Sequence, residues 1–263
     1  MLGVSRAWLY RALWASSGLP GQFGNAFLYL ATGLLRAQEL DAAARDEWID
    51  FSISDEDVDA GLSRDERQFF ECHLRSGDRV LLVGCGAGRD LLALDRLGYH
   101  VDGLDHSPQV IAIARAHLAR HRAAAALHTG TIESAALDRR YDAVIFSNGC
   151  YSLVRGARRR AAALARVADH LVPGGRVLIS YHGFTRQSAV GLWLIRTSAR
   201  AARADWSPEP GDAFWRHRPG RTLRYRHHFT REELNAEIEA AGFRRIPDEH
   251  LDGSLRWVAA VQP

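Results

Sequence analysis

The chain has 263 residues, 25% of them charged and 47% apolar, which are the proportions of an ordinary globular protein and exclude disordered and fibrous classes. All 34 basic residues are arginine, so a lysine Schiff base and a lysine phosphate clamp are excluded, and a net charge of +3 is too small to demand a nucleic-acid partner. Cys72, Cys85 and Cys150 are widely spaced with no C-x-x-C pair, which suggests neither a disulfide framework nor a zinc site and fits a reducing, cytoplasmic compartment.

Residues 1–75 read as helical. Trp8, Leu9, Ala12 and Leu13 repeat at helix spacing, as do Phe27, Leu30, Leu34 and Leu35, with the breaker "SSGLPGQFGN" between them. Stripes of this kind pack on their own domain, so this part is taken as an N-terminal helical cap, with membrane-surface helices as the alternative. The most apolar segment, Phe23 to Leu35, is too short to span a bilayer, and no secretion signal is evident.

From residue 76 onward short apolar runs alternate with longer amphipathic ones, the pattern of βαβ units in a doubly wound parallel sheet. Strands are predicted at Arg79 to Val83, His100 to Leu104, Ala126 to Thr129, Tyr141 to Phe146 and Arg176 to Tyr181. Helices are predicted to start near Arg89, Pro108 and Ala157, with Ser107 as N-cap of the second. "LVPGG" at 171–175 is read as the helix stop before the fifth strand, with Gly in the left-handed conformation. Residues 183–228 break the rhythm and are read as a lid or substrate insertion. "FTREEL" then opens a helix capped by Thr230, and strands near Phe243 to Ile246 and Leu255 to Val261 bring the count to seven.

The turn out of the first strand, "VGCGAGRD", carries Gly84, Gly86 and Gly88. Glycine there lets backbone N–H groups approach a ligand with no Cβ in the way, at the positive end of a helix. The spacing is neither the dinucleotide G-x-G-x-x-G, since Arg89 stands where its third Gly belongs, nor a P-loop, which needs a lysine. The second strand ends in Asp105, placed to accept hydrogen bonds from both hydroxyls of a ribose.

Taken together, "VLLVGCGAGRD", "VDGLDHSP", "YDAVIFSNG", "LVPGGRVLIS" and "FTREELNAEIEAAGF" resemble the class I S-adenosylmethionine-dependent methyltransferases, in the family's order, over residues 76–182 and 229–263. The resemblance implies a seven-stranded Rossmann-like sheet, order 3-2-1-4-5-7-6 with the last-numbered strand antiparallel, and S-adenosylmethionine as cofactor. By position it places Gly84, Cys85, Gly86 and Gly88 along the methionine part of the cofactor, Asp105 on the ribose and His106 beside the adenosine. Asn148, past the fourth strand, would line the methionine end. Where the family has Gly-Asp and an apolar residue after the third strand, this chain has Gly130, Thr131 and Ile132, so the adenine contact falls to the Thr131 hydroxyl or Glu133.

A methyl acceptor must lie beyond the carboxyl ends of the strands, which selects Asn148, Cys150, Tyr151, Tyr181 and His182. His182 is the first choice for a proton acceptor, because an imidazole titrates near neutrality, and Tyr151 the second. Cys150 as a covalent nucleophile lacks the preceding proline of the cytosine-C5 enzymes, and "SNGCY" is not the N/D-P-P-Y/F of many amino-methylating members. Arg216, Arg218, Arg221, Arg224 and Arg226 could hold an acceptor carboxylate or phosphate, with Phe214, Trp215 and Tyr225 stacking on it; the plainer alternative is a solvated lid. "RGARRR" at 155–160 reads as the exposed start of a helix. His227 and His228 are adjacent in a strand and so face opposite ways, which argues against one metal ion held by both; no metal is expected.

The function expected is methyl transfer to oxygen or nitrogen of a small molecule, as in specialised metabolism, with the N-terminal helices and the insertion forming the acceptor pocket. An RNA methyltransferase using the insertion's arginines, and a methyltransferase fold turned to other chemistry, are the alternatives. A homodimer stays open, and stable membrane insertion is not expected.

Overall fold

The computed structural model of the chain describes residues 5–19, 21–46, 55–184, 188–216, 222–252 and 255–263. The elements run α1 (Arg6–Ser16), α2 (Gly21–Leu34), α3 (Ala37–Asp46), α4 (Asp55–Ala60), α5 (Arg64–His73), β1 (Arg79–Val83), α6 (Arg89–Arg96), β2 (His100–Asp105) and α7 (Pro108–His121). They continue with β3 (Leu127–Thr129), β4 (Tyr141–Phe146), a 3₁₀ turn at Cys150–Leu153, α8 (Ala157–His170), β5 (Leu171–Gly183) and α9 (Ala189–Ala202). The last are β6 (Asp212–Arg216), β7 (Leu223–Phe229), α10 (Arg231–Ala240), β8 (Arg244–Asp252) and β9 (Leu255–Val261).

Two compact units emerge: Met1–Asp50 with Thr185–His228, and Phe51–Phe184 with Phe229–Pro263. Helices α4 and α5, assigned from the sequence to the cap of residues 1–75, belong to the second unit.

The second unit is a doubly wound sheet. β1 pairs in parallel with β2 and β4, β2 with β3, and β4 with β5. β9 runs antiparallel to β5 and to β8, so the spatial order is β3-β2-β1-β4-β5-β9-β8. With β8 and β9 counted as sixth and seventh strands, this is the 3-2-1-4-5-7-6 order with an antiparallel seventh strand.

Alternation along the strands sends neighbours to opposite faces. Leu81, Val83, Val144 and Phe146 join the core under α8 and α10, with Leu164, Val167, Leu234 and Ile238. Val80, Leu82, Ala143 and Ile145 join the core under α5, α6 and α7, with Phe70, Leu91 and Leu118. Both faces are covered, which is why the central strands read as unbroken apolar runs.

The capping signals at Ser107 and Thr230 are realised. Ser107 accepts from Val110 N–H at the head of α7, and Thr230 from Glu233 N–H at the head of α10. The "LVPGG" reading is corrected: α8 ends on an extended Leu171, and the left-handed Gly174 (φ 76°) lies within β5, where the pairing with β4 slips register between Tyr141 and Ala143.

The first unit holds α1, α2, α3, α9 and the hairpin β6–β7, an antiparallel ladder the sequence analysis did not foresee. Leu28, Leu35, Leu40, Ile195, Phe214, Leu223 and Tyr225 form its core.

Candidate active site

The chain leaves β1 at Val83 and makes three left-handed glycines, Gly84 (φ 73°), Gly86 (φ 55°) and Gly88 (φ 96°), before α6 begins at Arg89. Gly84 N–H (2.8 Å) and Cys85 N–H (3.1 Å) both donate to Leu104 O on β2, and Gly86 N–H donates to Asp105 Oδ2 at 3.1 Å. The loop is therefore pinned to the end of β2 by three successive amides. A Cβ on Gly84 would sit 2.5 Å from Cys150 Sγ, whereas one on Gly86 would meet nothing within 4 Å. Gly86 thus borders open space beside a carboxylate, and these residues fit a nucleoside whose ribose is held by Asp105 and whose remainder lies along bare backbone.

Asp105 lies at the carboxyl end of β2, its side chain 11% exposed. Oδ1 accepts from Ser107 N–H at 3.0 Å, and His106 Nδ1 lies 3.5 Å from the same oxygen. Each oxygen has lone-pair capacity left for a hydroxyl donor. Cys85 is buried, and burial pushes its thiol well above the usual range, so its part in the loop is the backbone N–H. Thr131 is exposed and its hydroxyl pairs with Ser134 Oγ at 3.1 Å, while Ile132 is a core residue. Asn148 is exposed at positive φ (48°) immediately beyond β4.

A buried polar network stands behind the loop that the sequence analysis did not assemble. Arg89 donates through Nε to Asp90 Oδ1 (2.6 Å) and through Nη2 to Glu66 Oε1 (2.8 Å), and Ser147 Oγ donates to the other Asp90 oxygen. Glu66 also completes a capping box with Ser63 at the head of α5. The S-x-x-E at 63–66 was a legible local signal; that its acid serves Arg89 was not. The Glu66 carboxyl is raised above its ordinary value, first by burial and then by Asp90, with Arg89 opposing.

The loops after β4 and β5 are tied together by Ser180, whose hydroxyl accepts from Gly149 N–H (2.6 Å) and donates to Phe146 O (3.0 Å). A Cβ on Gly149 would lie 2.7 Å from His182 Nε2, so the imidazole lies against the backbone next to Asn148. His182 N–H donates to Ser152 Oγ at 2.9 Å. Burial, with Asp105 and Glu133 adding to it, pushes the Cys150 thiol up to about 12, which leaves it protonated and a poor nucleophile.

Tyr151 is fully buried between Phe146 and Phe229, and its phenol donates to Glu237 Oε2 at 2.8 Å. Burial first, then Glu237, raises it well above the ordinary phenol value, so the hydroxyl is committed to the core. The reading of 155–160 as exposed is corrected at Arg160: it is fully buried, donates to Glu237 through Nε at 2.8 Å and lies 5.0 Å over the Phe229 ring. Tyr181 is likewise a core residue.

Among the described residues of the insertion, Phe214, Tyr225, Arg216 and Arg226 are engaged within the first unit. Phe214 and Tyr225 are core residues of the first unit, Arg216 donates to Trp14 O and Ser17 Oγ, and Arg226 lies over Trp215. Arg218 and Arg221 lie outside the described residues. His227 is fully buried and donates through Nδ1 to Asp212 Oδ1 (2.8 Å), whereas His228 is only half-buried, as strand alternation requires. Glu209, Asp212 and His227 bring one ligand atom each within 4.8 Å. Asp212 is already engaged by Tyr225 Oη, His227 and Glu209 N–H, each at 2.8 Å, a self-satisfied polar cluster.

Residues 80–175, from β1 into β5, match the model of the family described as "Methyltransferase domain". Over 108 residues the chain is 33% identical to the ribosomal protein L11 methyltransferase of Thermus thermophilus, covering 41% of this chain and 40% of that one. Over 145 residues it is 30% identical to dTDP-3-amino-3,6-dideoxy-alpha-D-glucopyranose N,N-dimethyltransferase of Streptomyces fradiae, covering 54% and 55%. The chain thus spans about half the length of these curated relatives. Its fold is similar to that of CalS10, an amino pentose methyltransferase from Micromonospora echinaspora solved with S-adenosylmethionine bound (TM-score 0.55, 21% identity, 85% of this chain and 97% of that one). The glycine loop, the acid at the end of β2 and the strand order thus accompany a methyltransferase domain over residues 80–175, in the fold of the class I S-adenosylmethionine-dependent methyltransferases.

Proposed function

We propose that this protein transfers the methyl group of S-adenosylmethionine to a nitrogen or oxygen of a small-molecule acceptor. The observation that carries the reading is the Gly86 N–H to Asp105 Oδ2 hydrogen bond, which sets a ribose-binding acid beside an open, side-chain-free loop. The cofactor supplies an already electrophilic methyl, so the protein's work is to align a nucleophile, exclude water and accept a proton.

Asp105 accepts from the ribose hydroxyls, the Gly84–Gly88 backbone lies along the methionine part, and Asn148 lines its end. His106 and Ile132 flank the adenosine, with the Thr131 hydroxyl near the base. His182, held against Gly149, takes the acceptor's proton; Tyr151 braces the turn after β4 through Glu237 and Phe229. A small molecule is favoured over RNA because Arg216 and Arg226 are engaged within their own unit, and because a relative is named for methylating an amino sugar nucleotide.

The test is calorimetry with S-adenosylhomocysteine, then a screen of amino sugars and phenols for formation of that product. Binding abolished in Asp105→Ala, with turnover on one acceptor class, supports the reading. Failure to bind S-adenosylhomocysteine, or RNA as the sole productive acceptor, overturns it.

A further inference from the structure

Large apolar side chains stand in solvent on the first unit: Trp8 is 60% exposed, Leu19 52%, Phe23 77%, Val190 65% and Trp193 63%. No residue of α1 is buried: Trp8 and Leu9 of its apolar stripe are exposed, while Ala12 and Leu13 are half-buried and Tyr10 and Trp14 pack against the core of the first unit. Single exposed apolar residues are ordinary, but these five lie on or beside only three helices, α1, α2 and α9.

Packing places several of them together. The Tyr29 ring lies against Gly191, 2.8 Å from where a Cβ would stand, and four residues on, Gly33 lies against Ile195 and Ser198. Advancing along α2 therefore meets advancing residues of α9, so the two helices run parallel and pack at small residues. Phe23, before Tyr29, and Val190 and Trp193, beside Gly191, share the N-terminal half of the pair. α1 runs the other way: Arg6 reaches Leu34 O at 2.8 Å, at the far end of α2.

The charge of these helices has one sign. α1, α2 and α9 contain no Asp or Glu, while α1 carries Arg6 and Arg11 and α9 carries Arg196 and Arg200. Arg6 is spent on Glu39, but Arg11 and Arg200 are exposed and pair with no described carboxylate. A second copy docked through the same face would set arginines against arginines, because a two-fold contact uses one patch twice. An anionic bilayer satisfies both features at once: aromatic and aliphatic side chains enter the headgroup and acyl boundary, and guanidinium groups meet phosphates. No described helix is long and apolar enough to cross a membrane, so contact is with the surface.

We propose that the exposed faces of α1, α2 and α9 form a docking surface for anionic phospholipid membranes. The assignment is independent of the methyl acceptor. The whole protein is floated with phosphatidylcholine vesicles and with vesicles containing phosphatidylglycerol, at low and high salt. The expected result is flotation with anionic vesicles alone, weakening as salt screens the charges. Arg11→Gln and Arg200→Gln each lower partitioning by roughly fivefold. The triple change Trp8→Ala, Phe23→Ala and Trp193→Ala abolishes it with S-adenosylhomocysteine affinity intact. Absence of flotation at low salt, equal flotation with neutral vesicles, or a solution dimer dispersed by the triple change overturns the proposal.

Discussion

Asp105 and Gly86 are joined by a 3.1 Å hydrogen bond from the loop amide to Oδ2, so one carboxylate both shapes the glycine loop and faces the space beside it. Asp105→Ala removes two charge-assisted acceptors for a ribose, worth about 1.5–3 kcal/mol each. Affinity for S-adenosylhomocysteine falls by at least roughly a hundredfold in calorimetry. Unchanged affinity removes the ribose assignment.

Gly84 and Gly86 separate stability from binding. Alanine at either costs about 1–2 kcal/mol for the left-handed backbone. At Gly84 the methyl also meets Cys150, 2.5 Å away, so Gly84→Ala loses a further ~1–3 kcal/mol by overpacking. At Gly86 it enters open space and lowers cofactor affinity instead. Thermal melts and calorimetry on the two variants read the contrast; equal melting temperatures with equal affinities contradict it.

Glu66 gives a pH signature. Its carboxyl is raised by burial and by Asp90, so the folded chain holds that proton more tightly than the unfolded chain does. Such a group stabilises the fold fully below the ordinary glutamate value of about 4.3, and that contribution is lost as pH rises through the folded value. Urea unfolding at stepped pH above this value shows stability declining more steeply in the native protein than in Glu66→Gln. Parallel curves contradict the assignment.

Arg89 holds two buried acids, Glu66 and Asp90. Arg89→Met strands both charges and costs about 3–5 kcal/mol in chemical denaturation. A loss below 1 kcal/mol, on the scale of roughly a surface pair, shows that the network is not a closed one.

His182 and Tyr151 part company kinetically. His182→Ala lowers kcat by about 10²–10⁴ with cofactor affinity retained if the imidazole takes the proton. Tyr151→Phe loses the hydrogen bond to Glu237, about 1 kcal/mol of stability, and leaves kcat near the native value. A large kcat loss in Tyr151→Phe reverses the two roles.

The sequence by itself determined the seven strands of the second unit, the starts of α6, α7, α8 and α10, the glycine loop and Asp105, because each is written in a short window: an apolar run, a capping serine or threonine, a turn needing glycine. Only the tertiary structure decided what lies far apart along the chain. Arg160 sits in a run of arginines that reads as solvated, yet Glu237, 77 residues on, draws it into the core. The 183–228 segment reads as irregular, yet α9 and the β6–β7 hairpin form there, with Trp206 donating to Leu35 O across 171 residues. Burial of a charge or of an aromatic ring depends on a partner brought in by the fold, and no local periodicity encodes that partner.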